Sequence, residues 1–277
     1  MRQSTLSKTV TYLLLILGAL SILLPLYMTI IIPFKTMAEN TASYFALPTR
    51  FNLDNFKTVL KGGRYFRALA NTAYITTFVL VGNAIIMPMM SYPIARSMEH
   101  SRFYRRVYYF VLLSIFIPFQ VKMMPLVKLL SSLRMMHPTG LSILYMASSI
   151  GESVFLYVGY MQSIPEELEA AAYIDGANTF QVYTRIVVPL VRPMMATALI
   201  RNGLWIWNDF LLPLIILNRS WTHWTLTLFQ HNFRTEYSID YSLTFAALVM
   251  SIVPIMLFYV FAQKHIVSGL TSGALKG

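Results

Sequence analysis

Five residues stand where an apolar sequence leaves little room for polarity. Glu152 interrupts the run from Pro138 to Met161, and Arg201, Trp205, Asn208 and Asp209 fall within the run from Val188 to Leu217. An ionisable group at membrane depth costs about 2.5–3.5 kcal/mol on insertion scales, so such groups turn toward protein or water. Carboxylates and amides that bond hydroxyls, beside aromatic rings that stack on the apolar faces of sugars, are the groups a saccharide pathway uses. The bland alternative is equally concrete: Trp207 packs or anchors at an interface, and Asp209 makes a structural hydrogen bond. Arg201 and Asp209 are eight residues apart, roughly 80° around a helix and too distant along its axis to touch. Separate partners are expected for them.

Other chemistries are excluded or unsupported. There is no Cys, which removes disulfides, cysteine-based zinc sites and thiol catalysis. No Gly-Lys dipeptide occurs, so the chain has no P-loop to cradle a nucleotide, and any ATP hydrolysis must come from a partner. His100, His137, His223, His231 and His265 are scattered without metal-ligand spacing, and no local Ser/His/Asp motif is present.

A second constellation lies between the two runs, in SIPEELEAAAYIDGANTFQVYTRIVVPLVRP, Ser163 to Pro193. Ser163 and Glu166 have capping-box spacing, Pro165 suits a first helical turn, and Leu168, Ala171, Ala172 and Asp175 recur at helical intervals. Gly176 is expected to end this helix in the left-handed conformation. Asn178 or Thr179 then caps a second helix with Phe180, Tyr183, Val187 and Leu190 on one face. The predicted unit is a helix, a sharp turn and a re-entering helix over 163–189.

The string EAAAYIDGA, with Ile186, Pro189 and Leu190 downstream, resembles the EAA loop of binding-protein-dependent ABC importer permeases. WNDFLLPLIIL at Trp207–Leu217 and the ending QKHIVSGLTSGALKG are similar to segments of the carbohydrate-uptake branch, of maltose and oligosaccharide type, so the likeness runs from the second apolar span to the last residue. The resemblance implies the type I importer permease fold, with the loop acting as a coupling helix that seats in a cytoplasmic ATPase. Glu169, Ala171, Ala172, Asp175, Gly176, Ala177, Phe180, Ile186 and Pro189 are the implied coupling residues. It also implies a second homologous permease subunit, two ABC ATPase subunits carrying ATP and Mg, an extracytoplasmic sugar-binding protein, no cofactor on this chain, and a bacterial cytoplasmic (inner) membrane location with both termini cytoplasmic. One departure is local. Aligned on Asp175 and Gly176, the family's acid falls at Ala170, and Glu169 is rotated 100° from that position.

The elements that must carry these residues are membrane spans. The chain is 56% hydrophobic and 12% charged, where a soluble domain carries about 25% charged residues. The net charge of +11 is spread along the chain, as in loops flanking spans, rather than gathered into a nucleic-acid surface. A span needs about 20 apolar residues. Runs at Thr9–Phe34, Ala68–Ala95 (with Pro88 and Pro93 bending its end), Val107–Pro125, Pro138–Met161, Val188–Leu217 and Tyr241–Gln263 predict an all-α integral membrane protein of about six helices, as one domain over 1–277. Lys122 is expected to snorkel to the interface. Arg96, Arg102, Arg105 and Arg106 favour a cytoplasmic loop between the second and third spans, although basic residues divide nearly evenly between the two sides. Aromatic outer segments at Lys35–Arg67 and Asn218–Asp240, including Trp221, Trp224, Phe229, Phe233 and Tyr237, either receive the binding protein or cap the membrane face. Their basic character would suit an acidic saccharide. The competing readings are a permease for another small solute such as an amino acid or polyamine, a proton-linked secondary transporter using Glu152 and Asp209, and a structural membrane subunit.

Overall fold

The computed structural model describes residues 5–232 and 240–274, with side chains from residue 8 to 258 outside that gap and at Val260. Phe233 and Tyr237 lie outside the described residues. Everything described is helix, turn or irregular chain. In order these are α1 (Thr5–Ile31), α2 (Met37–Ala42), α3 (Asp54–Leu60), α4 (Arg64–Ser97), α5 (Arg102–Phe116), α6 (Phe119–Ser132), α7 (Pro138–Gln162), α8 (Glu167–Ile174), α9 (Thr179–Val182), α10 (Val188–Asn208), α11 (Leu211–Leu217), α12 (Leu226–Asn232) and α13 (Tyr241–Ala274). Five stretches are long and apolar enough to cross a bilayer: Lys8–Phe34, Arg64–Ser97, Pro138–Gln162, Thr179–Asn208 and Tyr241–Phe258. A sixth exists only if α5 and α6 count as one broken span.

Two expected spans are corrected. The run from Val107 to Pro125 is not one helix, because α5 and α6 meet at a 102° bend. Pro118 denies the helix an N–H, and steric clash with its ring drives the preceding residue out of the helical region. Ile117 is accordingly extended, at φ −83° and ψ 111°. The run from Val188 to Leu217 is also two helices, since Asp209 is extended and its carboxylate accepts the Leu211 N–H at 3.1 Å, starting α11. By contrast, α4 continues unbroken through Pro88 and Pro93 to Ser97.

The described chain forms two compact units, residues 1–66 with 229–254, and 67–228 with 255–277. In the first, the segment after α1 is braced by polar bonds. Lys35 is fully buried, its ammonium donating to the carbonyls of Ser43 (3.0 Å) and Tyr44 (3.1 Å). Thr36 and Glu39 close a capping box on α2. Hydrogen bonds from Thr49 and from the Thr36 backbone lower the Glu39 carboxyl to about 2. Asn40 donates to Ser242 at 2.6 Å, tying α2 to the start of α13. Within this unit α1 stays largely unpacked: every residue from Lys8 to Tyr27 is exposed.

In the second unit, α7 is the central element, packed by α5, α10 and α11. A Cβ on Gly151 would collide with the Ser114 hydroxyl, so glycine sets how closely α5 approaches α7. Asn83 of α4 and Ser149 of α7 exchange buried hydrogen bonds of 3.0 and 3.2 Å. Reciprocal pairing satisfies both groups where no lipid atom could.

Candidate functional site

The loop between α7 and α10 has the predicted helix–turn–helix form, with two local differences. Ser163 does not cap α8: its hydroxyl bonds back to the Tyr160 carbonyl at 2.7 Å, and the helix begins at Glu167 without a side-chain cap. At the other end the expected termination is present in full. Gly176 sits at φ +84°, the Gly176 N–H bonds the Tyr173 carbonyl and the Ala177 N–H bonds the Ala172 carbonyl, each at 3.0 Å. These are the two bonds of a Schellman motif, which needs a residue free of the left-handed penalty. Asn178, rather than Thr179, caps α9, in a reciprocal capping box with Gln181.

The predicted face through Phe180, Tyr183, Val187 and Leu190 is corrected. Tyr183–Val187 forms a π-helical turn, which rotates the register so that Val182, Val187 and Val191 are buried while Phe180 and Leu190 are exposed. Pro189 supplies the cause: its ring crowds the carbonyl four residues back, and a widened turn relieves that clash. Ile186 and Pro189 are half-buried at this junction.

Of the other loop residues, Ala171, Asp175 and Gly176 are exposed, and Ala172 and Ala177 lie half-buried against the core beneath. The loop also exposes large apolar side chains, beside the acidic Glu166, Glu167 and Asp175. Ile174 is 87% exposed and Phe180 71%, with Leu168 and Tyr173 also exposed.

Glu169 is turned inward. It is buried, and its carboxylate accepts the Tyr92 hydroxyl at 2.6 Å and the Arg96 guanidinium at 2.7 and 2.8 Å. Arg96 also donates to the carbonyls of Met161 (2.8 Å) and Ile164 (3.2 Å), and Glu166 stands 3.9 Å away. Sequence reasoning weighed Arg96 only as a topological charge, and no spacing rule links it to Glu169, since the two are 73 residues apart.

The second site is a cavity of about 490 Å³ among α6, α7, α10 and α11, lined in part by Lys122, Ser149, Glu152, Arg201, Asn202, Trp205 and Asp209. Four of the five residues first singled out thus share one space. Glu152 pairs with Arg201, and both are partly exposed, at 46% and 43%. Asp209 has other partners, as expected: its carboxylate accepts the Tyr145 hydroxyl at 2.7 Å, and its carbonyl accepts Thr227 at 2.7 Å. The Trp205 indole meets the Tyr145 ring edge-on at 5.3 Å and remains 44% exposed. Polar groups beside an exposed indole can bond hydroxyls and stack on a sugar ring. Asn208 is the exception. Its amide donates to the Leu204 carbonyl at 2.8 Å, and it borders a separate cleft with Leu204, Ile255 and Met256. Lys122, on α6 beyond the bend at Pro118, also lines this cavity. Trp207 is half-buried, and its indole nitrogen is buried without a hydrogen-bond partner among the described residues. The described residues contain no cluster able to hold a metal ion.

Residues 84–272 match the family described as the binding-protein-dependent transport system inner membrane component. The chain is 41% identical over 268 residues to the multiple sugar-binding transport system permease protein MsmG of Streptococcus mutans, covering 96% of each. It is 34% identical to the probable starch degradation products transport system permease protein AmyC of Thermoanaerobacterium thermosulfurigenes, covering 96% of this chain and 97% of the relative. Among solved structures, a chain of a bacterial ABC transporter involved in the import of the acidic polysaccharide alginate superposes with a TM-score of 0.81 at 22% identity, over 95% of this chain and 99% of that one. That likeness carries the fold. With more than half of its length matched to the family and a relative of 41% identity along nearly all of it, the chain belongs to the inner membrane components of binding-protein-dependent transport systems.

Proposed function

We propose that this chain is the permease subunit of an ATP-driven importer that moves a sugar or oligosaccharide handed over by an extracytoplasmic binding protein. The carrying observation is the loop surface. Ile174, Phe180, Leu168 and Tyr173 are large apolar side chains exposed on the helix–turn–helix between two spans. Large apolar side chains left exposed together on a loop outside the spans suit a protein contact. The partner fitting this reading is a cytoplasmic ATPase holding ATP and Mg, two copies serving two permease chains, the second being a homologue of this one. ATP-driven closure of the ATPases moves the loops, and the pathway reopens on the other face. Family membership sets aside the proton-linked secondary transporter.

The cavity is the proposed stretch of pathway on this subunit. Glu152, Arg201, Trp205 and Asp209 line it, whereas Asn208 borders a separate cleft. Its charges balance, Lys122 and Arg201 against Glu152 and Asp209. That balance favours a neutral saccharide over a uronate polymer, reversing the inference from the basic outer segments. Relatives named for multiple sugars and for starch degradation products point the same way.

The test is reconstitution of the chain with its partner permease, ATPase and binding protein in proteoliposomes. ATP hydrolysis stimulated by loaded binding protein, with uptake of labelled maltotriose exceeding that of an oligouronate, is expected. Uptake by the chain alone under a proton gradient would refute the proposal.

A further inference from the structure

The Arg96 guanidinium sits where three elements converge: its own helix α4, the C-terminal end of α7 through the Met161 carbonyl, and α8 through Glu169. Its side chain is 12% exposed and that of Glu169 is 8% exposed. Arg96 Nε and Nη2 converge on one oxygen of Glu169, Oε1, and charge-assisted hydrogen bonds of this kind are about twice as strong as neutral ones. Tyr92, one turn earlier on α4, adds its hydroxyl to the same carboxylate. The loop therefore cannot shift against α4 or α7 without breaking several charge-assisted bonds at once.

Of the clamped helices, α7 lines the cavity, and α4 is bonded to its wall. On α7, Glu152 stands nine residues before Met161, about 14 Å along the axis. On α4, Asn83 stands thirteen residues before Arg96, about 20 Å away, and it grips Ser149 in the cavity wall. Rigid helices running from a clamp to a binding space form a contiguous mechanical route.

We infer that Arg96, with Tyr92 and Glu169, is a positioning group that converts motion of the docking loop into motion of the cavity wall. The inference rests on the reading of 163–189 as the ATPase-docking loop. Glu169 then acts inward, on this chain's own helices, and docking is left to the exposed side chains of the loop. The absence of an acid at Ala170 fits this division: that exposed position is not needed for the clamp.

The experiment uses the complete importer and the variants Arg96→Gln, Arg96→Lys, Glu169→Gln and Tyr92→Phe. Three quantities are read: ATPase recovered per permease on purification, ATP hydrolysis with loaded binding protein, and sugar imported per ATP. Arg96→Gln is expected to keep the wild-type ATPase ratio and most of the hydrolysis while sugar per ATP falls at least tenfold. Arg96→Lys and Glu169→Gln, which retain part of the bonding, should fall less, and Tyr92→Phe should fall two- to fivefold. Tyr92→Phe keeps the ion pair, so it remains informative if Arg96→Gln does not assemble. Sugar per ATP within twofold of wild type in Arg96→Gln, or in Tyr92→Phe should Arg96→Gln not assemble, overturns the inference. Loss of ATPase recovery in step with transport overturns it as well, because the clamp would then only shape the docking surface. If the wild-type chain recovers no ATPase, the docking reading itself fails, and that outcome is distinct from either of the others.

Discussion

Removing one member of the Glu152–Arg201 pair should harm the protein more than removing both. The pair is shared between α7 and α10 beside the cavity. An unpaired charge at membrane depth costs up to about 2.5–3.5 kcal/mol, and less here because both side chains are more than two-fifths exposed. Arg201→Ala is therefore expected to lower the thermal midpoint in detergent, read by size-exclusion after heating. The double variant Glu152→Gln with Arg201→Gln should recover most of that loss. Equal destabilisation by single and double variants would show that the pair does not govern stability. At this scale the sequence spoke clearly wherever polarity was anomalous: an acid or a base inside an apolar run marked Glu152, Arg201 and Asp209 as cavity residues. It was silent about Arg96, because a basic residue at the end of a span is ordinary and its partner is distant in the chain.

Elements divide by whether their ends are encoded locally. Gly176 was legible because a glycine after a helical stretch has one conformational use there, and the Schellman bonds form as expected. A Cβ at this position would meet nothing within 4 Å, so a substitution acts through backbone strain alone, about 1–2 kcal/mol for an L-residue held left-handed. Gly176→Val should accordingly reduce ATPase recovery with the spans still inserted, and Gly176→Asn should reduce it less, because asparagine tolerates that conformation. Equal recovery for Val and wild type would mean the turn is not needed for docking. The Ser163 cap, the break at Pro118 and the π turn before Pro189 were not legible. In each, two local options compete closely, and packing onto α7 or relief of a proline clash decides between them. Proline in an apolar run reads equally well as a tolerated kink or as a break, and α4 shows the former while α5 and α6 show the latter.

At the scale of the whole molecule, hydropathy predicted the class and nearly the number of spans, since desolvation of the backbone leaves helices as the economical way across. It could not separate a straight crossing from a bent pair of similar composition, which is why the count stands at five or six. Nor does hydropathy distinguish a helix buried by its own unit from one left exposed by it, and α1 is of the second kind. From Lys8 to Tyr27 it is exposed in this chain, so most of its apolar surface is left to lipid or a neighbouring subunit. The consequence concerns synthesis. The stretch Lys8–Phe34 is long and apolar enough to be expected to enter the bilayer without help from later spans. A reporter fused after Phe34 should be anchored in the membrane with the rest of the protein absent; a soluble reporter would show that insertion waits for later spans.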